Sequence, residues 1–354
     1  AALPILDKQT VRDNVELLKP KSLEQIPHIT EHTSGSTGSS LIFPQSVDNV
    51  RDLWAAFWRF WNRIGIEYGT RYADFGSRTI VPPNQRKPPF WRECQPLFQI
   101  KFSAFHGNDE NYMAYFKAIN DYGLTWIHGY PSCIMPFASF VAQNGLTFDK
   151  PIKAVTASAE NLYGYQRSII EKAFGVQPHA LYGLTEAVAC IGEDADHDYI
   201  VDEDYSAVEF IECGDYSRIV GSNLTNFAFP LLRYDTVDLA ITTDRLKNGR
   251  RVIERIDGRT GELLSLPDGG KVGALSALFT ESATIKEAQI HQLEDYSVEI
   301  SFVPLSDNYT EDIAEAEKRF RDRTKGMLPV SFKRVDGIER TKRGKLRYVV
   351  SDIK

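Results

Sequence analysis

A strand–helix–strand pattern between residues 152 and 187 constrains the fold more than any other feature of this sequence. The apolar run Ile152–Thr156 is typical of a strand. Apolar side chains then recur at spacings of three to four from Leu162 to Ile170, which predicts a helix that ends at Gly175. The next run, VQPHALYGLTEA, is typical of a second strand and a turn. These elements form a βαβ unit, so the pattern predicts an α/β fold with a largely parallel sheet.

The segments on either side of this unit carry other patterns. Residues 48–64 place an aromatic stripe on one face of a predicted helix, and such stripes belong to the core more often than to a ligand site. Residues 76–92 are rich in proline and basic side chains, which indicates an irregular surface segment. Between residues 202 and 244, runs such as VEFIE and VDLAITTD are typical of antiparallel strands joined by Asp/Gly turns. The stripe consists of Val50, Trp54, Phe57, Trp58 and Trp61.

A domain boundary is predicted in the stretch RIDGRTGE, near residue 258. Beyond it the patterns predict a strand, a helix and another strand, which is enough chain for a small domain with its own core. We therefore expect a large α/β domain over residues 1–258, with mixed and parallel sheets and a β-rich subdomain, and a small α+β domain over residues 259–354. The three elements of the small domain are predicted at residues 298–305, 312–324 and 330–338.

Charge and hydropathy exclude several classes of protein. The 354 residues include 41 basic and 48 acidic side chains, which give a formal charge of −7. No basic run has the character of a nucleic-acid footprint, so we expect no nucleic-acid partner. No stretch of about 18 apolar residues exists, so we expect no membrane span. The first residues, AALPILDKQT, lack the basic and apolar regions of a signal peptide. We expect a cytoplasmic protein with reduced, mostly buried thiols, since no CxxC pair occurs among Cys94, Cys133, Cys190 and Cys213.

The stretch HTSGSTGSS, at residues 32–40, is the first candidate site. Ser and Gly permit a tight turn whose backbone N–H groups and hydroxyls can surround phosphate oxygens. By composition alone such a run is more typical of a flexible linker, although few residues precede it here. Because no Lys follows Gly38, the loop is not a Walker A motif.

Two acidic side chains are the next candidates. The stretch YGLTEA, residues 182–187, follows a predicted strand, and open α/β sheets bind ligands at strand ends. Thr185 offers a hydroxyl there, and Glu186 a carboxylate of the kind that holds Mg²⁺ beside a phosphate. Asp238 could accept hydrogen bonds from a ribose diol. Taken singly, Glu186 could equally be a solvated or helix-start acid, and many strand-end aspartates would fit as well as Asp238.

A basic stretch near the C-terminus is the fourth candidate. ERTKRGKLRYVVS, residues 339–351, predicts a hairpin with a density of positive charge unusual in an acidic protein. A surface turn would also explain it. The basic side chains are Lys342, Arg343, Lys345 and Arg347.

The four candidates in this order resemble the motifs of the adenylate-forming, acyl-CoA synthetase-like superfamily, most closely its phenylacetate–CoA ligase branch and capsule-biosynthesis-like relatives. The family's loop T-S-G-[ST]-T-G is matched by TSGSTG, and the family's Y-G-x-T-E by YGLTE. The likeness extends from LPILDK, close to the first residue, to the C-terminus. Relatives often carry a further N-terminal segment. The resemblance implies that ATP phosphates are held by Thr33, Ser34, Gly35, Ser36, Thr37 and Gly38.

The resemblance also assigns roles at the predicted strand ends. Tyr182 and Gly183 would lie beside adenine, Thr185 would contact the α-phosphate, and Glu186 would hold Mg²⁺. The family's G-A-E segment beside adenine corresponds loosely to Ser158, Ala159 and Glu160.

Further roles follow for the remaining motifs. Asp238 and Arg259 would bind ribose, with Arg259 at the interdomain hinge. Lys345 would be the catalytic lysine, carried by a mobile C-terminal domain. HGYPS, residues 128–132, resembles a segment that lines the acyl pocket, so Tyr130 and Pro131 are expected there.

The sequence departs from the family pattern at three places. The phosphate loop continues as SSL rather than Lys-Pro, and Thr-Gly-Glu follows Arg259 in place of an Asp-rich hinge. The segment after YGLTEA lacks the Cys/His set with which some relatives bind zinc.

The resemblance implies an AMP-forming ligase that uses ATP and Mg²⁺. A carboxylic acid would become an acyl-AMP with release of pyrophosphate, and the acyl group would then pass to CoA thiol. Transfer to an amine or a carrier-protein thiol is the alternative, and a catalytically inactive nucleotide-binding relative or a partner-binding protein are rival readings. Trp126 and Tyr130 suggest an aromatic or bulky acid, although aromatic side chains suit a core equally. The sequence does not indicate an oligomeric state.

Overall fold

The computed structural model describes residues 3–33, 41–76, 79–259, 263–273, 275–279, 282, 284–340 and 346–353, with the backbone alone at 259, 276 and 277. The α-helices are α1 (Lys8–Asp13), α2 (Val15–Leu18), α3 (Val47–Arg63), α4 (Asp109–Asp121), α5 (Pro131–Gln143), α6 (Gly164–Phe174) and α7 (Thr310–Arg323). Short 3₁₀ turns cover Leu23–Gln25, Gln95–Leu97, Ala104–His106 and Leu275–Phe279.

The strands are numbered in chain order. They are β1 (His28–His32), β2 (Ile42–Ser46), β3 (Tyr72–Phe75), β4 (Trp91–Cys94), β5 (Gln99–Phe102), β6 (Trp126–Gly129), β7 (Ala154–Ser158), β8 (Pro178–Gly183), β9 (Cys190–Glu193), β10 (Tyr199–Val201), β11 (Ser206–Cys213), β12 (Tyr216–Asn223), β13 (Tyr234–Lys247), β14 (Arg250–Arg259), β15 (Leu264–Ser265), β16 (Lys271–Val272), β17 (Ile285–Gln292), β18 (Val298–Pro304), β19 (Val330–Arg334) and β20 (Val349–Ser351).

The chain forms two compact units, each built from two stretches of sequence. The first unit contains Ala1–Tyr68 and His179–Thr260, and the second contains Gly69–Pro178 and Gly261–Lys354. The predicted boundary near residue 258 and the mobility of the C-terminal segment stay predictions.

The first unit is dominated by antiparallel strands. Its sheet runs in the order β11-β12-β13-β14-β10-β9-β8, and β1 pairs with β2 as a separate hairpin. Helix α3 begins at the N-cap Ser46, whose hydroxyl accepts a hydrogen bond from the Asn49 backbone N–H. In the aromatic stripe of α3, Trp61 is buried, whereas Trp54, Phe57 and Trp58 are half-buried.

The second unit contains the parallel part of the fold. Strands β7, β6, β3 and β5 lie side by side in parallel, and β4 pairs antiparallel with β5 at the edge. One face of this sheet is apolar and carries side chains such as Phe75, Ile127 and Val155. This face packs against helices α4, α5 and α6. The predicted helix after the first strand of the βαβ unit is α6, and it ends at Gly175 in the left-handed conformation, as expected.

The C-terminal residues of the second unit form a small mixed sheet in the order β19-β18-β17-β20, with helix α7. Its apolar side chains, such as Ile290, Ile300 and Phe320, belong to the same core as those of α4, α5 and α6. The predicted strand, helix and strand of the tail are β18, α7 and β19. Strand β17 was not predicted, because IKEAQIHQ is mostly polar and lacks a clear alternation.

The α/β prediction is confirmed, with changes of detail. The first strand of the βαβ unit is Ala154–Ser158, two residues later than predicted. The expectation of antiparallel strands after residue 202 is confirmed by β11, β12 and β13. Residues 76–92 contain no helix in their described part, yet Val81 and Phe90 are buried and β4 begins at Trp91.

The cysteines and helices bear on two further expectations. All four cysteines are free: Cys190 is buried, Cys94 and Cys133 are half-buried and Cys213 is exposed, so the thiols are less buried than predicted. Among the described helices, none combines the length and the apolar character needed to cross a membrane.

Candidate functional site

The predicted phosphate loop joins β1 to β2. Thr33 closes its base, because its backbone N–H donates to the Leu41 carbonyl at 2.9 Å and its hydroxyl accepts from the Leu41 N–H at 3.0 Å. Thr33 is buried, and His32 pairs with Ile42 just beyond it. The segment therefore lies within a hairpin rather than between two domains. Ser34, Gly35, Ser36, Thr37 and Gly38 lie outside the described residues.

The structure brings Tyr182 and Asp238 together. Tyr182 is the penultimate residue of β8, and its hydroxyl donates to Asp238 Oδ2 at 2.7 Å, although 56 positions separate the two residues. Asp238 is buried and pairs with Arg259 across β13 and β14. The two residues that the resemblance places beside adenine and ribose are therefore in direct contact.

A distorted backbone positions Asp238. Val237 has φ of 58°, which is unfavourable for a β-branched residue, and the register of β13 against β14 shifts after Asp238. The Val237 N–H donates to Asp235 Oδ1, and the Asp238 N–H donates to the Thr236 hydroxyl. Strain of this kind is often found at functional sites, and here local hydrogen bonds hold it in place.

Glu186 is buried and held through one carboxylate oxygen. Its Oε1 accepts a hydrogen bond from the Tyr234 hydroxyl at 3.0 Å and lies 3.4 Å from Lys8 Nζ. Burial, reinforced by the neighbouring carboxylate, raises the pKa of Tyr234, so its hydroxyl stays protonated and donates. No described residue bonds Glu186 Oε2, so the carboxylate keeps one oxygen for a ligand.

The turn that carries Thr185 and Glu186 is fixed through its backbone. Asn223 Nδ2 donates to the Glu186 carbonyl at 3.3 Å, and Ala187 takes φ of 60° as its N–H bonds the Leu184 carbonyl. Thr185 is half-buried and Gly183 is exposed. The Tyr182–Glu186 segment thus leaves the strand as a tight turn whose acid points inward.

In the second unit, the predicted acyl and adenine segments are joined. Glu160 accepts two hydrogen bonds of 3.0 Å from Ser132, one from the backbone N–H and one from the hydroxyl. Ser132 lies in the first turn of α5, just after Tyr130 and Pro131, where a carboxylate is favoured by the helix dipole. Ser158 ends β7, and Ala159 follows with φ of 65°. Glu160 therefore has a structural partner of its own.

A polar row crosses the parallel strands of the second unit. Asp74 pairs in register with Lys101 on one side and His128 on the other, and His128 pairs with Thr156. Lys101 Nζ lies 3.5 Å from Asp74 Oδ2, and His128 Nδ1 lies 2.8 Å from Thr156 Oγ1, which also accepts from Trp126 Nε1. Trp126, which the sequence suggested for an acid pocket, is buried in this network.

The predicted site residues thus divide between the units. Lys345 lies outside the described residues, and the side chain of Arg259 is not described. The first unit holds Thr33, Tyr182, Gly183, Thr185, Glu186, Asp238 and Arg259, and the second holds Tyr130, Pro131, Ser158, Ala159 and Glu160. Their ligand-binding roles stay predictions. Sequence reasoning missed Lys8 and Tyr234, although Lys8 is the lysine of the LPILDK stretch.

A histidine–glutamate group lies beside strands β8 and β9. Ligand atoms of His179, Glu193 and His197 lie within 4.8 Å of one another. The two imidazoles are stacked with centroids 4.3 Å apart and planes 5° apart, so one ring would have to turn before both could share an ion. Glu193 also accepts the Ala180 N–H at 3.1 Å, which gives this buried carboxylate a structural role.

Comparison with known proteins shows what this chain is similar to. The CapK C-terminal domain family matches residues 264–352. Protein CapK of Staphylococcus aureus is 28% identical over 367 aligned residues, which cover 99% of this chain and 80% of the relative. A crystal structure of 2-hydroxyisobutyryl-CoA ligase in the postadenylation state, with R3-HIB-AMP, superimposes with a TM-score of 0.70 at 16% identity, covering 99% of this chain and 80% of that one. The chain is thus similar to CapK over nearly its whole length and has the fold of an adenylate-forming ligase.

A shorter match adds a second kind of relative. Indoleacetate–lysine synthetase of Pseudomonas savastanoi is 33% identical over 139 residues, which cover 38% of this chain and 34% of the relative. The resemblance inferred from the motifs is therefore confirmed for the fold and for the similarity to CapK.

Proposed function

We propose that this protein activates a carboxylic acid with ATP, forming an acyl-AMP and releasing pyrophosphate. The hydrogen bond between Tyr182 and Asp238 carries the proposal, because it joins two motifs that are distant in sequence and that relatives use for adenine and ribose. Glu186 lies in the turn that follows β8, four residues after the tyrosine. The similarity to CapK over nearly the whole chain supports the same reading.

The reaction needs charge neutralisation more than proton transfer. An acid of ordinary pKa is ionised at neutral pH, so its carboxylate oxygen can attack the α-phosphorus without a general base. The new bond joins that oxygen to the α-phosphorus. The bond from the α-phosphorus to the oxygen that bridges the α- and β-phosphates breaks, and pyrophosphate leaves with that oxygen. Lys345, together with N–H groups and hydroxyls of residues 33–38, would stabilise the negative charge that both reactants bring.

The residues present fit a magnesium ion. Mg²⁺ prefers carboxylate oxygens, and Glu186 has an oxygen, Oε2, that no described residue bonds. When bound, the ion would neutralise phosphate oxygens. Glu186 would hold it, and Thr185 would contact the α-phosphate beside it.

For the second step we propose transfer of the acyl group to the thiol of CoA. Solved structures of similar fold are CoA ligases, among them the 2-hydroxyisobutyryl-CoA ligase. Transfer to an amine is the second candidate, and the match to indoleacetate–lysine synthetase favours it, since that name couples an acid to an amino acid. The acid could be aromatic or bulky. We also propose that the protein is cytoplasmic and acts on small molecules, and that it has no nucleic-acid or membrane partner.

A panel of carboxylic acids in a pyrophosphate-release assay tests both steps. Aromatic, hydroxylated and aliphatic acids are compared with Mg²⁺–ATP alone, with CoA added, and with lysine or simple amines added. Release with an acid alone supports adenylation, and stimulation by CoA or by an amine identifies the acceptor.

The Asp238→Asn variant tests whether the site binds ATP. We expect it to weaken ATP binding about tenfold or more, because a carboxylate that accepts two hydrogen bonds becomes an amide that accepts fewer. Absence of ATP binding and of pyrophosphate release across the whole panel would refute the proposed function.

A further inference from the structure

One oxygen of Glu186 is held by two residues that no motif role explains. Lys8 Nζ lies 3.4 Å from Oε1, and the Tyr234 hydroxyl donates to the same oxygen at 3.0 Å. Both contacts span long stretches of sequence, 178 residues for Lys8 and 48 for Tyr234. The fold therefore brings a cation and a hydroxyl from elsewhere to one side of this acid.

The backbone fixes both partners in the same place. Leu6 lies beside Tyr234 in a parallel bridge, with its N–H donating to the Arg233 carbonyl and its carbonyl accepting from the Asp235 N–H, each at 2.9 Å. Asp7 then caps α1 by accepting the Thr10 N–H, so Lys8 begins a helix of set direction. The LPILDK stretch thus places Lys8 next to Tyr234 by main-chain contacts rather than by chance contact of a long side chain.

The arrangement solves an electrostatic problem for a buried acid. Glu186 is 4% exposed, and an ionised carboxylate at that depth is costly unless it is paired and hydrogen-bonded. Lys8 and Tyr234 provide the pairing at Oε1, and no described residue bonds Oε2. A carboxylate anchored through one oxygen has its plane and rotamer fixed, so the direction of the other oxygen is fixed too.

We propose that Lys8 and Tyr234 are positioning residues that orient Glu186 so that Oε2 receives the cation accompanying ATP. The inference rests on the proposed function, in which Glu186 holds Mg²⁺. Partners that orient a metal-binding carboxylate typically change metal affinity about 10–100-fold when they are removed. In this proposal Lys8 orients the carboxylate of Glu186 and does not bind the phosphates of ATP itself.

The test is a titration of ATP into the full-length Lys8→Met and Tyr234→Phe variants, with excess Mg²⁺ and with EDTA. We expect the apparent Kd for ATP with Mg²⁺ to rise about tenfold in each variant, whereas the Kd in EDTA stays at the wild-type value. Lys8→Arg, which keeps the positive charge, should recover part of the loss. Lys19→Met is the matched control, because Lys19 pairs with the exposed Glu16 on the surface and should change neither value.

The outcomes separate the possible failures. An equal loss of ATP affinity with Mg²⁺ and in EDTA would mean that Lys8 binds phosphate directly. Unchanged Kd values for ATP would mean that Lys8 has no role at the site. Either result overturns the inference. Circular dichroism and Tm show whether a variant has lost its fold. If Lys8→Met does not fold, the Kd values of Lys8→Arg and Tyr234→Phe decide between the outcomes. A wild-type protein that binds no Mg²⁺–ATP and releases no pyrophosphate refutes the proposed function itself, and the inference with it.

Discussion

Gly221 lies where two backbones approach closely beside the candidate site. A Cβ atom at residue 221, on β12, would lie 2.0 Å from the carbonyl oxygen of Val188, two residues after Glu186. Its backbone φ is ordinary, so the need for glycine comes from space rather than from conformation. The absence of a side chain lets β12 support the turn that carries Glu186.

The Gly221→Ala variant should therefore be destabilised by about 2–3 kcal/mol, since the added methyl group forces the strand and the turn apart. We also expect weaker binding of ATP with Mg²⁺, because the turn moves with Val188. Urea unfolding and ATP titration measure the two effects. Gly337→Ala is the control, as a Cβ there meets no atom within 4 Å and should change stability by less than about 1 kcal/mol. Equal stability of the two variants would contradict the argument.

At the scale of elements, a buried aspartate holds helix α3 to the sheet of the first unit. Asp202, just after β10, is fully buried and contacts three guanidinium groups: Arg59 and Arg63 from α3 and Arg250 from β14. Of the two arginines on α3, Arg63 lies nearer to Asp202, with 2.7 Å between its Nη2 and Oδ2. Arg59 and Arg250 also contact Asp204, which is 55% exposed.

We expect Asp202→Asn to lower the free energy of unfolding by about 3 kcal/mol, because it leaves partly buried guanidinium groups without their anion. Asp204→Asn removes an exposed partner of the same arginines and should cost less than about 1 kcal/mol. Denaturant unfolding of both variants measures the difference. A similar cost for both would show that burial of Asp202 adds nothing.

The polar row of the second unit predicts a dependence of stability on pH. Burial lowers the pKa of His128 below its usual 6.5, while Asp74 opposes this and Lys101 adds to it. The unfolded chain therefore binds a proton on this histidine more readily than the folded chain does. Stability from this residue is complete above about pH 6.5 and is lost as the pH falls toward the lower, folded-state value.

The Tm of the wild-type protein should thus fall more steeply below pH 6.5 than the Tm of His128→Gln, which cannot take up the proton. Thermal unfolding from pH 5 to pH 8 at constant ionic strength measures both slopes. Identical slopes would mean that other groups account for the acid sensitivity.

At the scale of the whole molecule, the proposed chemistry needs a cation that the phosphate loop does not supply, since no lysine follows Gly38. The resemblance gives that role to Lys345, which lies between Arg340 and Leu346, two residues that form an antiparallel bridge. The bridge agrees with the hairpin predicted for this stretch. Arg340 is also paired with Glu287 on β17 at 2.6 Å, so Arg340 itself is held to the C-terminal sheet.

Lys345→Ala should lower ATP–pyrophosphate exchange about 100-fold or more while ATP binding changes little, because the charge acts on the transition state rather than on bound ATP. Lys318→Ala, at an exposed position of α7, is the control and should leave exchange unchanged. Near-normal exchange by Lys345→Ala would remove this lysine from the mechanism.

The sequence by itself determined the α/β class, the helix that ends at Gly175, the strand before YGLTEA and the order of the motifs, because these depend on local periodicity and on turn residues. It did not determine β17, whose polar residues hide its pairing, or the extent to which the α3 aromatics are buried. Only the tertiary structure decided that Tyr182 contacts Asp238 and that Lys8 and Tyr234 hold Glu186. Those contacts join residues 48 to 178 positions apart, and pairings at such distances follow from how strands and helices pack, which no local pattern records.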